Sequence, residues 1–306
     1  MKQSIFIRHI LVCLLVSVAL VNVRSEVELS APYEHNRINT VWNGSMRLTG
    51  ERRRISLPMD HMGELYGDVS FYEKDRNNII AQFQVKEGMK MVNIMGRIID
   101  CYLKVSGTKD KNKDFWNNKA EVGLGVRTRF FTKIYFGLYA EYLRGFYIDV
   151  QGRDPNPYDQ NYVDLRCGAI LWYAWGGRAV SDTGGVSFPL VHWGELYADG
   201  SLYRKDRHNA IANMYVKDGF RIMTLNRVVV DSYLRLNLAK DRNKDFWNNK
   251  AELGPGIRIK PFHSFYLEVY FEYVRGFYLG IEGRDPNPYD MNYGDIRYGL
   301  ILWSGW

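Results

Sequence analysis

Sliding the chain against itself by 131 residues aligns 63–175 with 194–306 without a gap, and 60 of the 113 pairs are identical. KDFWNNKAE recurs at Lys113–Glu121 and Lys244–Glu252, RGFY at Arg144–Tyr147 and Arg275–Tyr278, and GRDPNPYD at Gly152–Asp159 and Gly283–Asp290. Weaker matches, Ser56, Pro58 and His61 against Ser187, Pro189 and His192, carry the unit back to about residue 55. A chain with this self-similarity must build its core from two copies of one supersecondary unit, either as two small domains or as one joint structure. The division read from it is a leader at 1–25, an N-terminal segment at 26–54, repeat 1 at 55–175, a linker at 176–185 rich in Gly, Ser and Asp, and repeat 2 at 186–306.

Inside each copy the apolar residues alternate with polar ones. Over Lys119–Phe130, Ala120, Val122, Leu124, Val126 and Phe130 share one face, and Glu121, Gly123, Gly125, Arg127 and Arg129 share the other. The second copy repeats the pattern, with Ala251, Leu253, Ile257 and Ile259 against Glu252, Gly254, Gly256, Arg258 and Lys260. Successive side chains of a strand point to opposite faces, so this pattern belongs to a strand between an apolar and a polar environment. The same test gives strands near 64–73, 78–92, 97–107, 119–131, 134–149 and 162–173, six per copy and twelve in all. Short turns near 93–96 and 131–133 alternate with polar loops at 74–77, 107–118 and 150–161, which puts the long loops at one end of an antiparallel meander. Pro255 interrupts one strand where the first copy has Leu124, and a bulge is expected there.

The fold expected is therefore all-β: an antiparallel up-and-down transmembrane β-barrel of about 12 strands from two tandem six-stranded repeats. Six strands alone would not close, and single-chain bacterial barrels use even strand numbers. The competing arrangement is a soluble periplasmic protein of two β domains that binds carbohydrate. Lys2 and Arg8 precede an apolar run from Ile10 to Val21, and Val23 and Ser25 suit a leader cleavage site, so export is expected. Outside that run no apolar stretch reaches the length of a membrane helix, and mean hydropathy is −0.33 although 15% of residues are aromatic. The formal charge of +7 becomes +4 without Lys2, Arg8 and Arg24, too mild to point to nucleic acid.

Tyr298, Leu300, Leu302 and Trp306 fall on one face of the last strand. This resembles the C-terminal signal by which bacterial outer-membrane barrels are handed to their assembly machinery; Ser304 departs from it. The 131-residue unit also resembles, faintly, barrels associated with exopolysaccharide export or phage adsorption. The resemblance implies the bacterial outer membrane as location, with membrane lipid, the barrel assembly machinery and polysaccharide as partners.

Candidate functional residues follow from the faces and loops. The polar face carries Glu121, Arg127, Glu141, Arg166, Glu252, Arg258, Glu272 and Arg297 as lumen charges, with Tyr66, Asp68, Asp100, Lys104 and Asp164 beside them. Glu141 with Arg144, and Glu272 with Arg275, are read as lumen or rim ion pairs. Trp116, Trp247, Tyr158 and Tyr289 form a loop aromatic set that suits stacking on sugar rings or a membrane girdle. Asp110, Asn112 and Asp114, repeated as Asp241, Asn243 and Asp245, echo the alternate oxygens of a calcium loop, but Phe115 and Phe246 stand where that loop needs glycine. No nucleophile and base arrangement, phosphate loop or zinc spacing is present, so no enzyme is expected. Cys101 and Cys167 are replaced by Ser232 and Tyr298 in the second copy and read as small apolar side chains. The expected function is a conduit for small or polysaccharide solutes, with a non-conducting surface binding or structural barrel as the alternative.

Overall fold

A computed structural model describes residues 55–56, 60–73, 77–94, 97–113, 117–131, 134–148, 161–176, 185–204, 208–226, 228–244, 248–262, 266–279 and 292–306. The leader, the segment 26–54 and most of the long loops lie outside these residues.

The first copy contributes β1 (Ile55–Ser56), β2 (Asp60–Tyr72), β3 (Asn78–Ile94), β4 (Arg97–Asp110), β5 (Lys119–Arg129), β6 (Tyr135–Tyr147) and β7 (Asn161–Gly176). The second contributes β8 (Val186–Ser187), β9 (Val191–Tyr203), β10 (Asn209–Leu225), β11 (Val228–Asp241), β12 (Lys250–Lys260), β13 (Tyr266–Tyr278) and β14 (Asn292–Gly305). From β1 to β6 every strand bound recurs 131 residues later, for example 119–129 and 250–260. The twelve long strands pair antiparallel with their chain neighbours, β7 pairs β9, and β14 pairs β2, so the sheet closes on itself. Both copies thus form one ring rather than two domains.

The two-residue strands β1 and β8 add to β3 and β10 at the end that carries the tight turns, and they are too short to display an alternation in the sequence. At the same end β3 and β10 each hold a bulge, between Lys90 and Val92 and between Arg221 and Met223. Pro255 makes no bulge. Leu253 faces Arg275 and Gly256 faces Glu272 in unbroken register, and only the ladder to β13 at 254–255 is interrupted. A proline removes one N–H, and the pairs on either side hold the register that one missing bond cannot shift.

The alternation sorts the faces. Outward-pointing Leu124 is 66% exposed, and Leu165, Leu234 and Phe271 are about half exposed, whereas inward-pointing Asp231, Glu268 and Glu272 have no exposed surface. A water-soluble barrel places its apolar residues inside, because burying them is what drives folding. Here the distribution is the reverse, and the core is mainly polar, with Leu143, Val274 and Trp193 among its few apolar members.

Candidate functional site

The lumen is organised by tyrosines that reach over glycines. Gly125 of β5 stands between Tyr102 on β4 and Glu141 on β6 in one row across the sheet. Any side chain at Gly125 would occupy the place of the Tyr102 ring. With only hydrogen there, the ring lies across β5 and its hydroxyl donates to Glu141 Oε1 at 2.8 Å. Tyr162 crosses Gly145 in the same way and donates to Glu121. The second copy repeats both contacts: Tyr233 over Gly256 to Glu272 at 2.7 Å, and Tyr293 over Gly276 to Glu252. An aromatic ring covering a strand glycine restores the packing the glycine lacks, and here it also carries a hydrogen-bond donor to a carboxylate two strands away.

Each glutamate is also an ion-pair partner. Lys104 Nζ stands 2.8 Å from Glu141 Oε2, with Lys86 at 3.6 Å from Oε1. Arg166 holds Glu121 with both terminal nitrogens and Asp164 with Nε at 2.7 Å. Arg297 does the same to Glu252 and Asp295, and Arg235 donates to Glu272 at 2.6 Å. Paired, hydrogen-bonded geometry of this kind is what lets charges persist without water.

Near the turn end the two copies diverge. Arg127 bonds Asp100 and, three strands away, Glu64 at 2.6 Å. Its counterpart Arg258 bonds Asp231 at 3.0 Å and both Glu195 and Glu268 at 3.3 Å, while its guanidinium stacks 3.4 Å over the Trp193 ring. Glu268 takes the place of Gly137, and Trp193 the place of Met62. Lys217 Nζ joins the same cluster, 3.0 Å from Glu268. Three of these contacts, Arg127–Glu64, Arg258–Glu195 and Lys217–Glu268, join strands three apart in the ring, so the turn-end half of the interior is crossed by side chains bonded to one another.

All eight lumen charges singled out from the sequence point inward and are buried. Glu64, Lys86, Glu195, Lys217 and Glu268 complete their clusters and were not singled out; their place on the polar face was the available signal. The expected pairs Glu141–Arg144 and Glu272–Arg275 do not form. Residues three apart in a strand lie on opposite faces, so Glu141 and Glu272 point inward while Arg144 and Arg275 are exposed outside.

At the loop end, Asp110 accepts hydrogen bonds from Asn118 Nδ2 at 2.6 Å, Asn117 Nδ2 at 3.1 Å and Asn78 Nδ2 at 3.4 Å, and its own N–H donates to Asn118 Oδ1. The backbone N–H of Asn112 donates to Asn78 Oδ1. Asp241 is held identically by Asn209, Asn248 and Asn249, and the backbone N–H of Asn243 donates to Asn209 Oδ1. The carboxylate oxygens considered for calcium are thus engaged by amide donors that knot the loop base. Asp114 and Asp245 lie outside the described residues, as do Trp116, Trp247, Tyr158 and Tyr289. Among the described residues no group of three or more metal-ligating side chains gathers.

Between the ion-pair clusters, in the loop half of the lumen, lies a cavity of about 420 Å³ reached by side chains of β2–β4 and of β10–β12.

No protein-family model matches the chain, and no curated protein matches it in sequence. Among solved structures, the chain is similar to the beta domain of the Bordetella autotransporter Brka, at 12% identity and a TM-score of 0.36, over 79% of this chain and 98% of that one. It is similar to CdiB from Acinetobacter baumannii at 11% identity and a TM-score of 0.32, over 82% of this chain and 61% of that one. For OmpT, an outer membrane protein of Vibrio cholerae, the identity is 10% and the TM-score 0.23, over 84% of this chain and 99% of that one.

Proposed function

We propose that this chain is a bacterial outer-membrane β-barrel whose lumen is held shut by its own charged side chains, and which acts through its loop end as a binding barrel. The observation that carries the reading is the inversion of burial, with fully buried Glu268, Glu272 and Asp231 inside and half-exposed Leu165, Leu234 and Phe271 outside. Only a lipid environment makes that outer surface favourable, and only a closed ring satisfies the backbone within it. The long strands run from 11 to 17 residues, enough to cross a hydrocarbon layer that needs about 9–11 tilted residues. Membrane lipid is the partner of the outer face, and the barrel assembly machinery is the proposed route of insertion.

The closed lumen rests on the cross-barrel contacts of Arg127, Lys217 and Arg258, each of which joins strands three apart in the ring. The test is a planar bilayer. Purified protein, shown to be inserted by fractionation with the outer membrane and by gel migration that changes on boiling, is expected to leave the bilayer electrically silent. Stable conductance steps would sink the closed-lumen reading. They would favour a conduit for small or polysaccharide solutes, a reading supported by the cavity in the loop half and by the polar, hydratable character of the contacts that shut the rest.

A further inference from the structure

We infer that the cavity in the loop half of the lumen is a binding site for a neutral polyhydroxylated ligand of about one or two sugar rings, in keeping with the 300–1,000 Å³ typical of small-molecule sites. This names the ligand class of the proposed binding barrel and so rests on that reading.

The site lies on the axis that relates the two copies. Gln82 on β3 faces Asn213 on β10, and these are equivalent residues 131 apart on strands six positions apart in a ring of twelve. Asn117 and Asn248 are a second equivalent pair lining it, and Thr108 is matched by Ala239. The wall is therefore built by both copies and exists only because they share one ring.

Its chemistry differs from that of the remaining lumen. Elsewhere carboxylates meet guanidinium and ammonium groups; here the wall is mainly amide and hydroxyl. Of the two charged lining groups, Lys250 is paired with a carboxylate, whereas Asp68 is held by neutral donors. Asp68 accepts from Tyr66 at 3.2 Å and from Ser70 and Gln82, and Lys250 stands 3.3 Å from Glu252. An anionic ligand would find no unpaired cation, and a cationic one would have to displace the neutral donors that hold both oxygens of Asp68.

The amides are oriented for acceptance. Asn117, Asn237 and Asn248 each spend an Nδ2 on a carboxylate below or behind the wall, Asp110, Glu252 and Asp241 in turn. That fixes each side chain and leaves its Oδ1 to accept. Sugar hydroxyls both donate and accept, so fixed amide oxygens with a threonine hydroxyl and the Gln82 amide make a complementary set. An apolar ligand would strand those groups without partners, at a cost of about 1–3 kcal/mol each.

The experiment is equilibrium dialysis of the full chain, folded in detergent micelles, against radiolabelled glucose, galactose and maltotriose, with glucuronate and glucosamine as charged counterparts. Saturable binding of at least one neutral sugar is expected, tighter than that of either charged one. The double variant Gln82→Leu, Asn213→Leu is expected to lose about tenfold or more in affinity, equivalent to about 1.4 kcal/mol, while keeping the boiling-dependent gel shift of a folded barrel. Asn213→Gln alone, which keeps the amide, is expected to bind. No saturable binding of any neutral sugar overturns the assignment, as does preference for a charged sugar or binding that survives the double variant. A silent bilayer with no sugar binding defeats this inference alone, whereas conductance defeats the closed-lumen reading first.

Discussion

The Tyr102 hydroxyl reaches Glu141 from two strands away, 2.8 Å from Oε1, because Gly125 of the intervening strand leaves its ring room to lie flat. Val at Gly125 displaces that ring and strands the carboxylate with only its lysines. Gly125→Val is expected to destabilise the barrel by about 1–3 kcal/mol, measured by urea unfolding in lipid vesicles. Gly200→Ala is the control: it adds a Cβ where nothing lies within 4 Å, and no loss is expected.

Arg258 answers three carboxylates at once, Asp231, Glu195 and Glu268. Removing it leaves Lys217 as the nearest cation bonded to Glu195 and Glu268. Arg258→Ala is expected to cost about 3–5 kcal/mol, the loss typical of breaking a buried pair. Because the side chain also blocks the lumen, the same variant is expected to turn a silent bilayer into one with conductance steps. Arg144→Ala, on the outer face, is expected to do neither.

Leu124 stands at the middle of β5, on the outer face and 66% exposed. If lipid covers that face, Leu124→Lys is expected to lower stability in vesicles by about 2–4 kcal/mol, as for a cation at the midplane of a barrel. A protein whose outer face met water would tolerate the change without loss. The same urea titration in vesicles decides between them.

Asn118 both donates to Asp110 and accepts its backbone N–H, and it has no exposed surface. Asn118→Ala removes both of these buried hydrogen bonds at the base of the loop after β4, one of them to a carboxylate, an expected loss of about 1–3 kcal/mol. The readout is limited proteolysis: cleavage after β4 is expected to rise several-fold, while the matching loop of the second copy, tied by Asn249, stays protected. Asn249→Ala is expected to reverse the pattern.

The twelve long strands, their approximate extents and the identity of the two faces were legible in the sequence. They depend on the two-residue period of an extended chain, a local property that neighbouring residues such as Glu121 and Val122 display without knowledge of the fold. The repeat doubled that signal, since Arg127 and Arg258 fall on the same face in both copies. Asn78 and Asn118 carried a weaker hint, identity with Asn209 and Asn249, that no period could turn into a contact.

Partnership was decided only by the tertiary structure. Glu141 belongs to Tyr102 and Lys104, 39 and 37 residues away, rather than to Arg144 beside it, because a strand sends residues three apart to opposite sides. Arg258 and Glu195 are 63 residues apart. They meet because closure of the ring curves strands three positions apart around one narrow interior. The cavity between Gln82 and Asn213 has the same origin: alternation turns both side chains inward, and only a closed ring of twelve brings β3 opposite β10.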